Sequence, residues 1–154
     1  MKAMTRVRLA DPDADFPAIL DGARDFVSRM DFTGHLPPDE AGLGAAMSRI
    51  FSVVDLDLIV VEEAGRIVGG LGMVYAPYLW NPAILSGEEL FFWTARQAPA
   101  GAALRLIRFM QRRAAEKGVR VMSFAALTSS PATLGRLYER LGMRKTQTTY
   151  TGVM

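Results

Sequence analysis

One stretch of the sequence restricts the fold more than any other: an apolar run that passes through a short turn into a basic helix. The run "ELFFWT" ends at Thr94, the turn contains Pro99 and Gly101, and apolar residues then recur at helical spacing from about Ala100 to Lys117. A helix that begins after such a turn has free backbone N–H groups, which can bind a phosphate. The same layout also occurs in ordinary strand-to-helix connections, so other features of the sequence must show whether this turn binds a phosphate.

Length and composition narrow the class of protein. The length of 154 residues suits one domain, residues 1–154, because two domains would each have little core. The chain has no cysteine, which excludes disulfides, thiolate nucleophiles and thiolate metal ligands, and we expect no metal site. The first residues contain no apolar run that could form the core of a signal peptide. We therefore expect a cytoplasmic protein with no membrane partner.

The net charge of +2 is distributed unevenly along the chain. Residues 1–95 hold 7 basic and 14 acidic residues, a net charge of −7, whereas residues 96–154 hold 11 and 2, a net charge of +9. The basic second half should attract an anion. The acidic residues concentrate around the first helix, where they would favour a cationic substrate if they line a cleft.

Apolar periodicity predicts the order β-α-α-β-β-β-α-β-α-β, hence one mixed α/β domain. Strands are expected at "TRVRL", "LDLIVV", "RIVGGLGMVY", "EELFFWT", "VRVMSFAAL" and the closing "MRKTQTTYTGVM", and helices near residues 16–30, 43–51, 100–117 and within 128–142. The glycines of "GGLG" precede no helix, so they indicate close strand packing rather than a dinucleotide-binding turn. The proline-containing stretch Ala76–Gly87 is expected to be a loop.

This order of elements, with "ELFFWTARQAPAGAALRLI" at the fourth strand and third helix and "LYERLGM" near the end, resembles the GNAT superfamily of acyl-CoA-dependent N-acyltransferases. The resemblance covers nearly the whole chain and is greatest to the short phage and bacterial acetyltransferases. It implies a central mixed, mostly antiparallel sheet that splays between strands four and five, with helices on both faces. It also implies direct transfer of an acetyl group from acetyl-CoA to an amine in a ternary complex.

The resemblance also implies which residues bind the cofactor. The family's turn reads Q/R-x-x-G-x-G/A; Gly101 and Ala103 match it, whereas Ala98 stands at the first position. The expected contributions are backbone N–H groups at the turn, side chains just before it, backbone of the fourth strand, and hydroxyls before the last helix. In the same order, the residues are Ala98, Ala100, Gly101, Ala102 and Ala103 at the turn; Arg96 and Gln97 before it; Phe91, Phe92 and Trp93 in the fourth strand; and Ser129 and Ser130 before the last helix.

Catalytic candidates follow from the same resemblance. Tyr138 occupies the position of the family's tyrosine and is the candidate general acid for the thiolate, although it also lies on the apolar stripe of its helix. Glu88 and Glu89 open the fourth strand, and we favour Glu89 as general base because alternation puts it on one face with Phe91 and Trp93. Both glutamates could equally be ordinary strand-end residues. The only histidine, His35, is expected in a solvent-exposed loop.

Three function classes stay open at this point. The first is an acetyltransferase acting on a primary amine of a small molecule or protein; the second is a non-catalytic acyl-CoA sensor. The third is a nucleic-acid-binding module, ranked last because no aromatic residues interleave with the basic ones. An aromatic acceptor side is expected around Tyr75, Tyr78, Leu79 and Trp80, which could instead cover the core or the interface of a homodimer.

Overall fold

The order of secondary structure agrees with the sequence pattern up to the last helix. The computed structural model describes residues 5–30, 39–150 and 152. Its elements are β1 (Thr5–Leu9), α1 (Phe16–Ser28), α2 (Glu40–Ser52), β2 (Leu56–Glu63), β3 (Arg66–Tyr78), β4 (Asn81–Thr94), α3 (Ala102–Glu116), β5 (Val121–Ser123) and α4 (Ala132–Arg140). The prediction of a closing strand is wrong for residues 143–150 and 152, which contain no strand. His35 lies outside the described residues.

The five strands form one sheet in the order β1-β2-β3-β4-β5. Neighbouring strands are antiparallel except for β4 and β5, which are parallel, so the predicted mixed, mostly antiparallel sheet is confirmed. The pairing of β4 with β5 covers only Ser86–Glu88 and Val121–Ser123. Because β4 continues to Thr94 while β5 ends, the two strands part after Glu88.

The prediction of a loop at Ala76–Gly87 is wrong, because β3 and β4 pair through this stretch as a long hairpin. Prolines suggested a loop, but Pro77 lies beyond the last residue of β3 that pairs with β2, Val74. The N–H of Tyr75 points to the β2 side and donates to Asp55 O at 2.8 Å, so the missing N–H of Pro77, two residues later, lies on that same edge. Proline is tolerated on such an unpaired edge.

Helices cover both faces of the sheet. The helix α3 packs on one face through Leu106, Met110 and Ala114, against side chains of β2 and β3. The helices α1 and α2 pack on the other face, where Ile19 and Met47 contact the alternate residues of β2. Burial of each large aliphatic side chain contributes about 1.5–3 kcal/mol, which holds the three layers together.

Trp93 anchors the second half of β4 beneath α1. A Cβ atom at Gly22 of α1 would lie 2.1 Å from Cε2 of Trp93, and one at Gly70 of β3 would lie 3.0 Å from its Nε1. The indole is therefore held between two backbone segments that only glycine allows to come so close. The expected close packing of "GGLG" within a strand is confirmed, since Gly72 likewise would bring a Cβ within 3.0 Å of Phe91.

Candidate active site

A cavity of about 480 Å³ lies where β4 and β5 part. It is enclosed by the last residues of β4, the first turn of α3, the segment after β5, α4 and the end of α1. Its lining residues are Phe26, Arg29, Phe92, Trp93, Thr94, Gly101, Ala103, Leu104, Leu127, Ser129, Ser130, Pro131, Thr133, Leu134, Leu137 and Arg140. The lining brings together six of the predicted cofactor residues, from three segments that are separate in the sequence.

The turn before α3 supplies backbone donors at one end of this cavity. Gly101 has a φ of 85°, a left-handed conformation that favours glycine, and it forms the N-cap of α3. In the described part of the chain, the N–H groups of Gly101, Ala103 and Leu104 have no backbone partner, and all three residues line the cavity. Free N–H groups at the positive end of a helix dipole suit an anion.

Two other residues of the predicted turn already use their N–H groups within the turn. The N–H of Ala98 donates to Ala95 O and that of Ala102 donates to Pro99 O, each at 3.0 Å, so neither is a free donor. Ala100 is exposed beside the turn. Arg96 and Gln97 are also exposed and do not line the cavity.

The free edge of β4 offers a second set of backbone groups. Ala95 donates its N–H to Val68 O of β3 at 2.9 Å. Since backbone groups alternate between the two edges of a strand, those of Phe92 and Thr94 point away from β3. Both residues line the cavity, so an extended ligand lying there meets unpaired N–H and C=O groups. Phe91, which we also expected at the cofactor, is buried in the core under α1 and α2.

An extra residue in β4 overturns the expected face of Glu89. Phe91 pairs with Gly72 and Glu89 pairs with Met73, so Leu90 has no partner and forms a β-bulge. Phe91 lies in the cluster under α1 and α2, whereas Met73 lies in the cluster under α3. The interpretation that Glu89 shares one face with Phe91 and Trp93 is therefore wrong, because the bulge shifts the alternation by one residue.

Glu89 reaches across the gap between the parting strands. Its Oε2 accepts a hydrogen bond from the N–H of Ala125 at 3.2 Å. No lysine or arginine of the described ranges forms an ion pair with it. Burial raises the pKa of Glu89 to about 7, and the hydrogen bond from Ala125 only partly offsets this. A carboxyl group that titrates near neutral pH suits proton transfer.

Tyr138, on α4, binds the same residue, Ala125. Its hydroxyl donates to the carbonyl oxygen of Ala125 at 3.0 Å, and its ring packs on Phe124 at a centroid distance of 5.6 Å. Burial, and then the negative charge of Glu89, raises the pKa of Tyr138 above its ordinary value. Tyr138 and Glu89 thus converge on Ala125 beside the cavity without lining it. Glu88 is exposed, and its Oε1 accepts from Ser123 Oγ at 3.1 Å.

Most acidic residues of the first half have partners within the protein. Asp15 binds Arg8, Asp21 binds Arg24, and Asp25 binds Arg29. The side chain of Asp39 caps α2 by accepting from the N–H of Gly42. No carboxylate lines the described cavity, whereas two arginines do. The acidic charge therefore does not form the wall of the cavity.

Sequence reasoning missed Arg29, Arg140 and Leu104 as lining residues. Arg140 and Leu104 both lie within the quoted motifs, "LYERLGM" and "ELFFWTARQAPAGAALRLI", but neither was selected as a site residue. Arg29 carries no such signal, because its place at the cavity depends on how α1 packs. Tyr75, expected on an aromatic acceptor side, is instead buried, and its hydroxyl donates to Asp57 at 2.9 Å.

No metal cluster or membrane-spanning helix accompanies this site. Among residues 5–30, 39–150 and 152, no group of three histidine, aspartate or glutamate residues is placed to hold a metal ion. Within the same ranges, no helix is long and apolar enough to cross a membrane.

Comparisons with known proteins identify the fold. No family model and no curated protein matches the chain. The chain is similar in structure to a transcriptional regulator from Bacillus halodurans C-125, with a TM-score of 0.78, 21% identity, and coverage of 98% of this chain and 100% of that one. It is also similar to an aminoglycoside acetyltransferase from an uncultured soil metagenomic sample, with a TM-score of 0.72, 19% identity and coverage of 98% and 99%.

A further similar structure is a predicted acetyltransferase with acetyl-CoA from Clostridium acetobutylicum, with a TM-score of 0.70, 17% identity and coverage of 97% and 96%. The chain therefore has the fold of the GNAT acetyltransferases, and the resemblance stated from the sequence is confirmed at the level of the fold. The narrower resemblance to phage members stays a prediction.

Proposed function

We propose that this protein is an N-acetyltransferase that transfers the acetyl group of acetyl-CoA to a primary amine within a ternary complex. The observation that carries the proposal is the cavity at the gap between β4 and β5, with unpartnered N–H groups of Gly101, Ala103 and Leu104 at one end. A long ligand with phosphates at one end and an amide-containing arm matches these two features. The neighbour described with acetyl-CoA supports this choice of donor.

Binding would use the backbone rather than side-chain charge. The pyrophosphate would lie at the start of α3, where the helix dipole and the free N–H groups favour negative charge. The pantetheine arm would lie along the free edge of β4 and exchange hydrogen bonds with Phe92 and Thr94. The hydroxyl groups of Ser129 and Ser130 would contact the arm from the opposite wall. Ser130 Oγ already accepts from the N–H of Leu127 at 3.0 Å, which shapes that wall.

The chemistry needs one proton acceptor and one proton donor. The amine nitrogen attacks the thioester carbonyl, a C–N bond forms, and the C–S bond breaks. In our proposal Glu89 accepts the proton that the amine loses, directly or through water, and Tyr138 donates its hydroxyl proton to the departing thiolate. Tyr138 would exchange its hydrogen bond with Ala125 for one with the sulfur. A backbone N–H of β4 would polarise the thioester carbonyl.

A second candidate is a sensor that binds acyl-CoA without turnover. The observation that favours it is that neither Glu89 nor Tyr138 lines the cavity, and that the hydroxyl of Tyr138 is already bonded to Ala125. A turnover assay with a panel of amines separates the two candidates, because both bind acetyl-CoA and only the first releases free thiol. Rates with cationic and neutral amines at two salt concentrations also test the cationic preference expected from the charge distribution.

The cofactor prediction is tested by calorimetry with a matched pair of variants. Gly101→Glu puts a negative side chain at the donor end of α3, and we expect it to abolish acetyl-CoA binding. Gly118→Glu is the control, because Gly118 has a similar φ of 79°, follows the other end of α3 and lies outside the cavity lining. It should suffer the same backbone strain yet bind acetyl-CoA normally. Absence of binding to the wild-type protein at millimolar acetyl-CoA would reject both candidates.

A further inference from the structure

The segment after β5 is held near β4 by side chains instead of by a strand ladder. Backbone pairing between β4 and β5 ends at Glu88 and Ser123. Two residues further on, the N–H of Ala125 donates to Oε2 of Glu89, and the carbonyl of Ala125 accepts from the hydroxyl of Tyr138. Both backbone polar groups of Ala125 are therefore bound by side chains, one from β4 and one from α4.

This arrangement has a geometric consequence. In a ladder, a backbone N–H bonds directly to the neighbouring carbonyl, and the strands lie about 4.8 Å apart. Here the N–H of Ala125 bonds to the end of the Glu89 side chain and not to a carbonyl of β4, so the reach of that side chain, and no ladder bond, sets how far the segment lies from β4. The N–H of Ala125 therefore has a hydrogen-bond partner without the gap closing.

We propose that Glu89 is a positioning residue that sets the width of the gap between β4 and the segment at Ala125, and so keeps the groove open for the acyl-CoA arm. This inference rests on the proposed function for the identity of the ligand. It adds to the proton transfer proposed above a distinct role, which depends on an acceptor oxygen at the end of a side chain of this length and not on the negative charge.

The position of Glu89 explains why the adjacent Glu88 would not set the width of the gap. Glu88 bonds to the side chain of Ser123, which belongs to the last paired position of the ladder and is already fixed by it. Glu89 bonds to backbone beyond that position. The bulge at Leu90 follows directly, so β4 changes its alternation at the point where the gap begins. Loss of Glu88 should therefore leave the groove unchanged.

The test compares variants that separate the acceptor oxygen from the charge. Glu89→Gln keeps an amide oxygen that accepts from Ala125, whereas Glu89→Ala removes it; Glu89→Met removes it too but fills the space, in case Glu89→Ala does not fold. Two quantities are measured: the Kd of acetyl-CoA by calorimetry, and the hydrogen-exchange rate of the Ala125 amide without ligand. Glu88→Ala is the matched control.

We expect Glu89→Gln and Glu88→Ala to stay within about twofold of the wild type in both quantities. Glu89→Ala or Glu89→Met should weaken acetyl-CoA binding about tenfold and speed exchange at Ala125 about tenfold, as loss of one hydrogen bond implies. Wild-type affinity and exchange in these two variants would overturn the proposal, as would equal losses in Glu89→Gln. If the wild type binds no acetyl-CoA, the proposed function fails, while exchange at Ala125 still decides whether Glu89 holds the segment.

Discussion

Two carboxylates on the sheet, Asp57 of β2 and Glu89 of β4, differ in what surrounds them. Asp57 is buried and accepts from the hydroxyl of Tyr75 at 2.9 Å, and it binds Nε of Arg113 at 3.1 Å and Nζ of Lys117 at 3.5 Å. Lys117 also lies 4.6 Å from the centre of the Tyr75 ring. Glu89 accepts one backbone hydrogen bond and has no cation beside it in the described part of the chain.

These surroundings suit Asp57 to a structural role and Glu89 to proton transfer. The charge of Asp57 is matched by two cations of α3 and its end, so this group fastens the helix to the sheet. The carboxylate of Glu89 is half-buried and has no matching cation among the described residues, so desolvation raises its pKa to about 7. A carboxyl group that titrates near neutral pH is suited to accept a proton at that pH.

The largest effect is expected from removing the titrating group of Glu89. Glu89→Gln should lower kcat by about 10²–10⁴-fold, the usual contribution of a general base. In the wild type, kcat/KM should rise about tenfold per pH unit below pH 7 and level off above it, because only the ionised carboxylate accepts the proton. The measurement is a pH profile of both proteins, and the same ionisation in Glu89→Gln would assign it to another group.

Stability provides an independent readout of the same pKa. The pKa of Glu89 is higher in the folded protein than its ordinary value of 4.5. Its contribution to stability is therefore fully present below about pH 4.5 and is lost as the pH rises through 7. Glu89→Gln should accordingly gain melting temperature relative to the wild type between pH 5 and pH 8. A constant difference across this range would mean that Glu89 has an ordinary pKa.

Tyr138 should have the next largest effect. Tyr138→Phe keeps the ring against Phe124 and removes the proton donor, so kcat in single turnover should fall about 10²-fold while acetyl-CoA affinity stays nearly unchanged. A quench-flow assay with acetyl-CoA bound in advance separates chemistry from product release. An unchanged rate would leave Tyr138 with its packing role and its bond to Ala125.

Asp57 should affect stability and not catalysis. Asp57→Asn leaves Arg113 and Lys117 without their counter-charge, and we expect a loss of about 2 kcal/mol in the free energy of unfolding, with kcat/KM unchanged. Urea denaturation measures this change in the free energy of unfolding. Asp55→Asn is the control, because Asp55 is exposed two residues earlier and should change stability by less than about 0.5 kcal/mol. A fall in kcat/KM for Asp57→Asn would remove the distinction drawn between the two carboxylates.

Local patterns in the sequence determined the helices, the order of elements through α4 and the glycine-containing turn at the start of α3. These features depend on neighbours within a few residues: apolar spacing identifies α1 and α3, and a left-handed position before a helix calls for the glycine found at Gly101. Short-range patterns wrongly predicted a loop around Pro77, where the structure has a hairpin. Whether a proline disrupts a strand depends on which edge of that strand is paired.

Only the tertiary structure decided the surroundings of Glu89. The sequence shows two adjacent glutamates at the start of an apolar strand, and alternation assigns them to opposite faces. The bulge at Leu90 shifts the register with β3, and the early end of β5 puts Ala125 opposite Glu89. Glu89 and Ala125 are 36 positions apart, and the bulge depends on pairing with a separate strand, so both relations are set by the register of the whole sheet. A local sequence pattern does not contain the register of the sheet, so the surroundings that raise the pKa of Glu89 can be identified only in the folded structure.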